Sequence, residues 1–322
     1  MNRSELGPYP RRLTDRVTLL GNPFFSVYLV EGDGVSALIE VGITATAPQI
    51  AAQLDSLGRD RDSIRFLIAT HGHADHLAGG PLLKELLPRA ELVTGQETEA
   101  LLNKPRLLEI LAQDDSHESA RLIELGLVEG PAPMAKPLAG AFDRTLVPGE
   151  VLDLGGIDLT ALDAPGHAQG GLVFWEKEEG ILFCSDSLGF LLPGAAPKED
   201  RWVANFYVDL DDYLKTFNGL ASLEAEWVCP GHCGAFQGQE GRRFISGART
   251  EIEALLELIQ GRIAQDDDPK PEIPEDLVET VFERHYIRQA RLFTPEMMRM
   301  CSRLLIRRVL ESEIWRNGTW RG

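Results

Sequence analysis

Thr70-His71-Gly72-His73-Ala74-Asp75-His76 sets three imidazoles and one carboxylate within six consecutive positions. The chain has 322 residues and only 7 histidines, so three of the seven stand in this one stretch. Two more follow in Pro165-Gly166-His167 and Pro230-Gly231-His232, each behind the same Pro-Gly lead-in. Between them, Phe183-Cys184-Ser185-Asp186-Ser187 is a strand-like run that ends on a carboxylate. Five histidines and two aspartates in this order can hold two metal ions close together. Imidazole and carboxylate suit zinc, iron or manganese, and no thiolate is needed to complete the set. Two ions roughly 3.5–4 Å apart can share a hydroxide, because bound water drops from a pKa of about 15.7 toward ~7. A lone histidine is more often a surface or capping residue, but five of seven in one ordered pattern is a metal site. The chemistry it points to is hydrolysis without a Ser or Cys nucleophile.

The flanking patterns supply strands that end at each motif. Phe25 to Val30 and Val35 to Val41 read as a hairpin around Gly32-Asp33-Gly34. Ala47 to Leu57 has helical spacing, and Arg65 to Ala69 is a short apolar strand that delivers Thr70 and the His-rich loop. A helix follows Gly79-Gly80-Pro81. From about 95 to 145 the pattern is less regular, with a helix suggested by Leu107, Leu108 and Leu111 and a loop around Gly130-Pro131-Ala132-Pro133. His117, among Asp114, Asp115 and Glu118, reads as a solvated residue. The second half repeats the scheme: strands over 151–154 and 157–162, then His167. Strands over 172–175 and 181–184 end at Asp186, a helix covers 209–223, and a strand over 227–229 delivers His232. Cys184 and Cys233 adjoin the ligand candidates but read as small buried hydrophobes.

The ordered set HxHxDH, PGH, Asp after an apolar strand, and PGH again resembles the metallo-β-lactamase superfamily. That resemblance implies an α/β fold, an αββα sandwich with two metal ions in the loops along one sheet edge. It also implies a division of labour among the ligands. His71, His73 and His167 would bind one ion, and Asp75, His76 and His232 the other. Asp186 would bridge the two. Asp75 and Asp186 would be the catalytic carboxylates, with Asp75 orienting a metal-bridging hydroxide that attacks the carbonyl of an ester or thioester. Electron-transfer relatives carry Glu where this chain has His73, and zinc β-lactamases lack the bridging Asp or place Cys there. Within the superfamily the pattern is most similar to glyoxalase-II-like thioesterases. Phe183 to Gly189, Asp211-Asp212-Tyr213-Leu214 and the multi-helix tail also resemble the quinolone-signal-response type of thioesterase, in which the tail covers the metal site. Lactonase or phosphodiesterase chemistry would use the same ligands. A regulatory protein with weak thioesterase activity would keep them too.

Composition narrows the partners. There are 32 Lys and Arg against 50 Asp and Glu, a formal net charge of -18, which argues against a nucleic-acid partner. No stretch approaches the ~20 apolar residues that a membrane span requires. The amino terminus lacks a secretory h-region, and the four cysteines show no zinc-finger or disulfide spacing, so the expectation is a cytoplasmic protein acting on a small ester or thioester.

Two units are expected, a catalytic domain over 1–242 and a helical extension over 243–322. The extension carries an apolar stripe at Ile252, Leu255, Leu256 and Ile259, and a charged, Pro-broken linker at Asp266 to Pro271. A helix follows Pro274, and another starts at Thr294-Pro295-Glu296 with Thr as N-cap. As a lid it would bring His285, Tyr286 and Phe293 to the substrate; otherwise the stripes would pack as core or form a homodimer surface. Phe206 and Tyr207, about twenty residues beyond Asp186, are further substrate-contact candidates, and Tyr207 could donate to a developing oxyanion.

Overall fold

The computed structural model describes residues 9–192, 200–263, 272–285 and 293–313. One sheet contains seven strands in sequence order: β1 (Arg11–Arg12), β2 (Val17–Gly21), β3 (Ser26–Glu31), β4 (Ser36–Ile39), β5 (Ile64–Ala69), β6 (Glu91–Gly95) and β7 (Arg144–Leu146). Its first four strands are antiparallel, and β4 to β7 are parallel. The parallel crossovers carry the helices α1 (Ala47–Ser56), α2 (Ala74–Leu77), α3 (Gly80–Leu86), α4 (Gln96–Leu101) and α5 (Pro105–Glu124).

The second sheet is built from β8 (Val151–Asp153), β9 (Asp158–Asp163), β10 (Leu172–Glu176), β11 (Ile181–Ser185), β14 (Trp227–Pro230) and β15 (Phe236–Gln237). A small ribbon of β12 (Phe190–Leu192) and β13 (Arg201–Val203) stands beside it, and α6 (Leu210–Ala221) crosses between β13 and β14. The chain then runs through α7 (Gly238–Ile263), α8 (Glu275–His285) and α9 (Pro295–Glu311).

Strand alternation creates the layers. Leu19, Tyr28, Val30 and Ile39 point between the sheets with Phe174 and Phe183 of the second sheet. The alternate residues Leu20, Leu29 and Leu38 meet Leu54, Leu83 and Leu111 of α1, α3 and α5. On the far face, Leu182 and Val228 meet Phe217, Leu255, Val281 and Leu305 of α6 to α9. The order is helix, sheet, sheet, helix, as expected from the sequence. The irregular region between 95 and 145 contains one long element, the 20-residue α5, opened by Pro105 in its first turn. The charged linker at 266–271 lies outside the described residues.

The helices of the tail are anchored individually. Arg284 and His285 of α8 pair with Glu251 of α7. Arg308 Nε of α9 donates to the Tyr207 carbonyl at 2.9 Å. Thr294 Oγ1 accepts from Met297 N at 3.1 Å, so the cap expected at Thr294 opens α9.

Candidate metal centre

Strand ends from both sheets deliver the seven expected residues to one place. β5 ends at Ala69 and leads to His71 and His73, and α2 presents Asp75 and His76. His167 sits in the β9–β10 loop, Asp186 just beyond β11, and His232 just beyond β14. Cross-sheet hydrogen bonds lock this edge: Leu172 N donates to Thr70 O, and Ser26 N to Gly231 O, both at 2.9 Å. The Pro-Gly lead-ins have a steric cause. A Cβ on Gly231 would lie 2.6 Å from His76 Cε1, and one on Gly166 would lie 2.2 Å from the Tyr213 backbone nitrogen. The backbone is strained at the same edge. Of four described non-glycine residues with positive φ, Glu40 (70°), Ser185 (47°) and Cys233 (61°) adjoin these side chains.

Two clusters form. His71 Nε2 lies 3.0 Å from His73 Nδ1, and His167 Nε2 lies 3.2 and 3.1 Å from those two atoms. In the second cluster, His232 Nε2 is 3.3 Å and His76 Nε2 3.5 Å from Asp75 Oδ2. Asp186 spans both: Oδ2 is 3.6 Å from His167 Nε2, while Oδ1 is 3.4 Å from His232 Nε2.

The surrounding hydrogen bonds fix where the lone pairs point. His167 Nδ1 donates to Asn205 O at 2.6 Å, and His232 Nδ1 to Phe24 O at 2.9 Å. The Nε2 atoms are therefore free of protons in the neutral rings and face the clusters. His71 Nδ1 lies 3.1 Å from Thr70 Oγ1, which in turn is 3.0 Å from Glu40 Oε1. Three ring nitrogens converging in this way repel unless a cation stands among them. His76 Nε2 and Asp186 Oδ1 are also buried without a hydrogen-bond partner among the described residues. The donor set thus fits divalent metal ions.

The electrostatics divide the same way. Burial, reinforced by neighbouring imidazoles, lowers His71 and takes His167 down to about 3. Burial opposes charge on His76 and His232 too, but the carboxylates around them outweigh it and push both well upward. Asp75 and Asp186 are held low by these histidines against the opposing effect of burial.

A cavity of about 220 Å³ opens over the two clusters. Leu107, Ile110 and Leu111 of α5 form one wall, and Met298, Cys301 and Leu304 of α9 form another. Tyr207 lines it with its ring 5.5 Å from that of His167, and Phe293 lines it with its ring 6.1 Å from that of Phe190. Two other contact candidates stand elsewhere. Phe206 is fully buried against Tyr213, and His285 is buried 3.1 Å from Glu251; neither lines the cavity. Tyr286 lies outside the described residues.

Sequence reasoning missed Glu40, whose Oε2 lies 3.0 Å from His76 Nδ1. The available signal was an acid ending the apolar run Ser36 to Ile39. It also missed Asn205 and Glu118, isolated polar residues with no local pattern to mark them. Among the described residues, no helix is long and apolar enough to cross a membrane.

Comparison with known proteins identifies the family and the fold. The model of the metallo-beta-lactamase superfamily matches residues 24–232. The acyl-coenzyme A thioesterase MBLAC2 of Bos taurus is 28% identical over 240 residues, covering 69% of this chain and 77% of that protein. The hydroxyacylglutathione hydrolase of Chelativorans sp. (strain BNC1) is 25% identical over 252 residues, covering 77% of this chain and 79% of that one. Among solved structures, a beta-lactamase domain protein from Burkholderia ambifaria shares the fold with a TM-score of 0.61 at 18% identity. It covers 96% of this chain and 88% of its own.

Proposed function

This chain belongs to the metallo-beta-lactamase superfamily and is a metal-dependent hydrolase, and on that footing we propose that it hydrolyses acyl thioesters at a dinuclear site. The carrying observation is the cavity: apolar side chains of α5 and α9 enclose a space that opens onto both ligand clusters. Such walls suit an aliphatic acyl chain, with each buried methylene contributing about 0.8 kcal/mol. Among the described residues no Lys or Arg lines it, so an anionic group on the acyl chain, away from the metal ligands, finds no cationic side chain there.

His71, His73 and His167 would hold one ion and Asp75, His76 and His232 the other, with Asp186 between them. Zinc, iron and manganese all suit this nitrogen and oxygen donor set. Bound there, divalent cations lower the pKa of water and offset negative charge on the acyl oxygen. The protein's own part is positioning. Asn205, Phe24 and Glu40 orient the imidazoles, and α5 and α9 seat the acyl chain and exclude bulk water. In the net reaction, water's oxygen bonds to the carbonyl carbon, the C–S bond breaks, and an acid and a thiol leave. α9 acts as the lid over this site, within a helical extension that opens with α7 at Gly238, a few residues before the expected boundary at 243. The twofold likeness to named thioester hydrolases supports the same substrate class.

The test is hydrolysis of an acyl-thioester panel by metal-loaded protein, read by chromatography, with His73→Ala beside it. Turnover that disappears in the variant supports the reading. Turnover retained by a variant with no bound metal overturns it.

A further inference from the structure

α5 presents Leu107, Leu111, Asp114 and Glu118 toward the cavity at intervals of three or four residues, one stripe of the helix. The stripe begins apolar and ends on a carboxyl. Glu118 is only 4% exposed, and its Oε2 has no hydrogen-bond partner among the described residues. The flank of the helix beside this stripe is pinned. Asp115 accepts from Thr44 N at 2.8 Å and from Thr44 Oγ1 at 2.7 Å, so Glu118 is held in place by a fixed element. It lines the same cavity as Asp75 and His232.

We propose that Glu118 is a specificity-determining residue, the hydrogen-bonding partner for a hydroxyl carried by the substrate's acyl group near the scissile carbonyl. The proposal rests on the thioesterase reading for the identity of the acyl group. A buried polar atom without a partner destabilises the fold, and functional sites are where such atoms persist. A hydroxyl fits because it donates to an ionised carboxylate and accepts from a neutral carboxyl. Burial together with Asp75 and Asp114 pushes the Glu118 carboxyl upward. A second carboxylate on the acyl chain would meet Asp114 and Glu118, with no Lys or Arg among the described lining residues.

Calorimetric binding of butanoate, 2-hydroxybutanoate and 3-hydroxybutanoate to the metal-loaded protein tests this. Wild type should bind one hydroxy acid about tenfold more tightly than butanoate. In Glu118→Leu that ratio should fall about tenfold, whatever affinity the hydroxyl has for the metals themselves. Glu118→Gln keeps a donor and an acceptor and should retain most of the preference. The melting temperature of Glu118→Leu should equal or exceed that of wild type, because no native partner is lost. Equal affinities in wild type, or an unchanged ratio in Glu118→Leu, would overturn the proposal. Butanoyl-thioester turnover, followed separately, tests the underlying reading: discrimination without turnover sinks the thioesterase alone, and turnover without discrimination sinks the role of Glu118 alone.

Discussion

Glu40 Oε2 lies 3.0 Å from His76 Nδ1, with both side chains only 2% exposed. The same carboxylate accepts a hydrogen bond from Thr70 Oγ1 at 3.0 Å, and Thr70 Oγ1 stands 3.1 Å from His71 Nδ1. One acid from the end of β4 thus stands directly behind a histidine of one cluster and, through Thr70, behind a histidine of the other. Carboxylates placed behind metal-ligating imidazoles orient the ring and raise its basicity. Glu40→Gln should therefore weaken metal binding roughly 10- to 100-fold. Competition against a chromophoric chelator measures this, and an unchanged affinity would reduce Glu40 to a packing role.

The cavity makes a graded prediction. While the acyl chain still fits, each added methylene should raise kcat/KM about fourfold, the equivalent of about 0.8 kcal/mol. Leu111→Trp, which fills the α5 wall, should move the optimum to shorter chains and leave metal content unchanged. A flat chain-length profile in wild type would speak against an acyl-binding cavity.

Arg308 offers a test of the lid. Its Nε donates to the Tyr207 carbonyl at 2.9 Å, tying α9 to the segment that lies against His167. Arg308→Ala should raise KM for longer acyl thioesters by about three- to tenfold, the loss of one charged hydrogen bond in a half-buried setting. Bound metal should not change. Loss of metal in this variant would show that α9 supports the ligands and not the substrate.

The junction of α7 and α8 sets a pH dependence remote from the metals. Burial raises the Glu251 pKa, but His285 and Arg284 outweigh it, and the group ends below its ordinary value. A carboxylate held low stabilises the fold above its unfolded pKa, and that stability is lost as pH falls through the folded value. Thermal melts of wild type and Glu251→Gln should differ by about 1 kcal/mol at pH 7, since Arg284 is partly exposed to solvent. The gap should close as pH drops below about 4.3, the ordinary value for Glu. A gap that widens in acid would contradict this assignment.

Much of the site was legible because its residues are chemically rare and locally clustered. His71, His73, Asp75 and His76 come from a single six-residue stretch, and Gly166 and Gly231 mark the close approaches that His167 and His232 require. Glu40 and Glu118 were not legible, since each is one acid among 50 Asp and Glu and becomes distinctive only by burial. Phe206 and Tyr207 show a different limit. They are adjacent in sequence, yet one packs into the core against Tyr213 while the other lines the cavity. His285 likewise belongs to the segment between two helices that was expected to approach the site, but Glu251 of α7 captures it. Pairings between distant elements decide these positions, and local pattern carries no record of them.

Metal titration of the metal-free protein, with bound metal and acyl-thioester hydrolysis followed in the same samples, addresses the central claim most directly. The account predicts saturation at two equivalents per chain, with hydrolysis reaching its plateau as the second is bound. Saturation at one equivalent with full activity, or two bound equivalents and no hydrolysis of any acyl thioester, would contradict it.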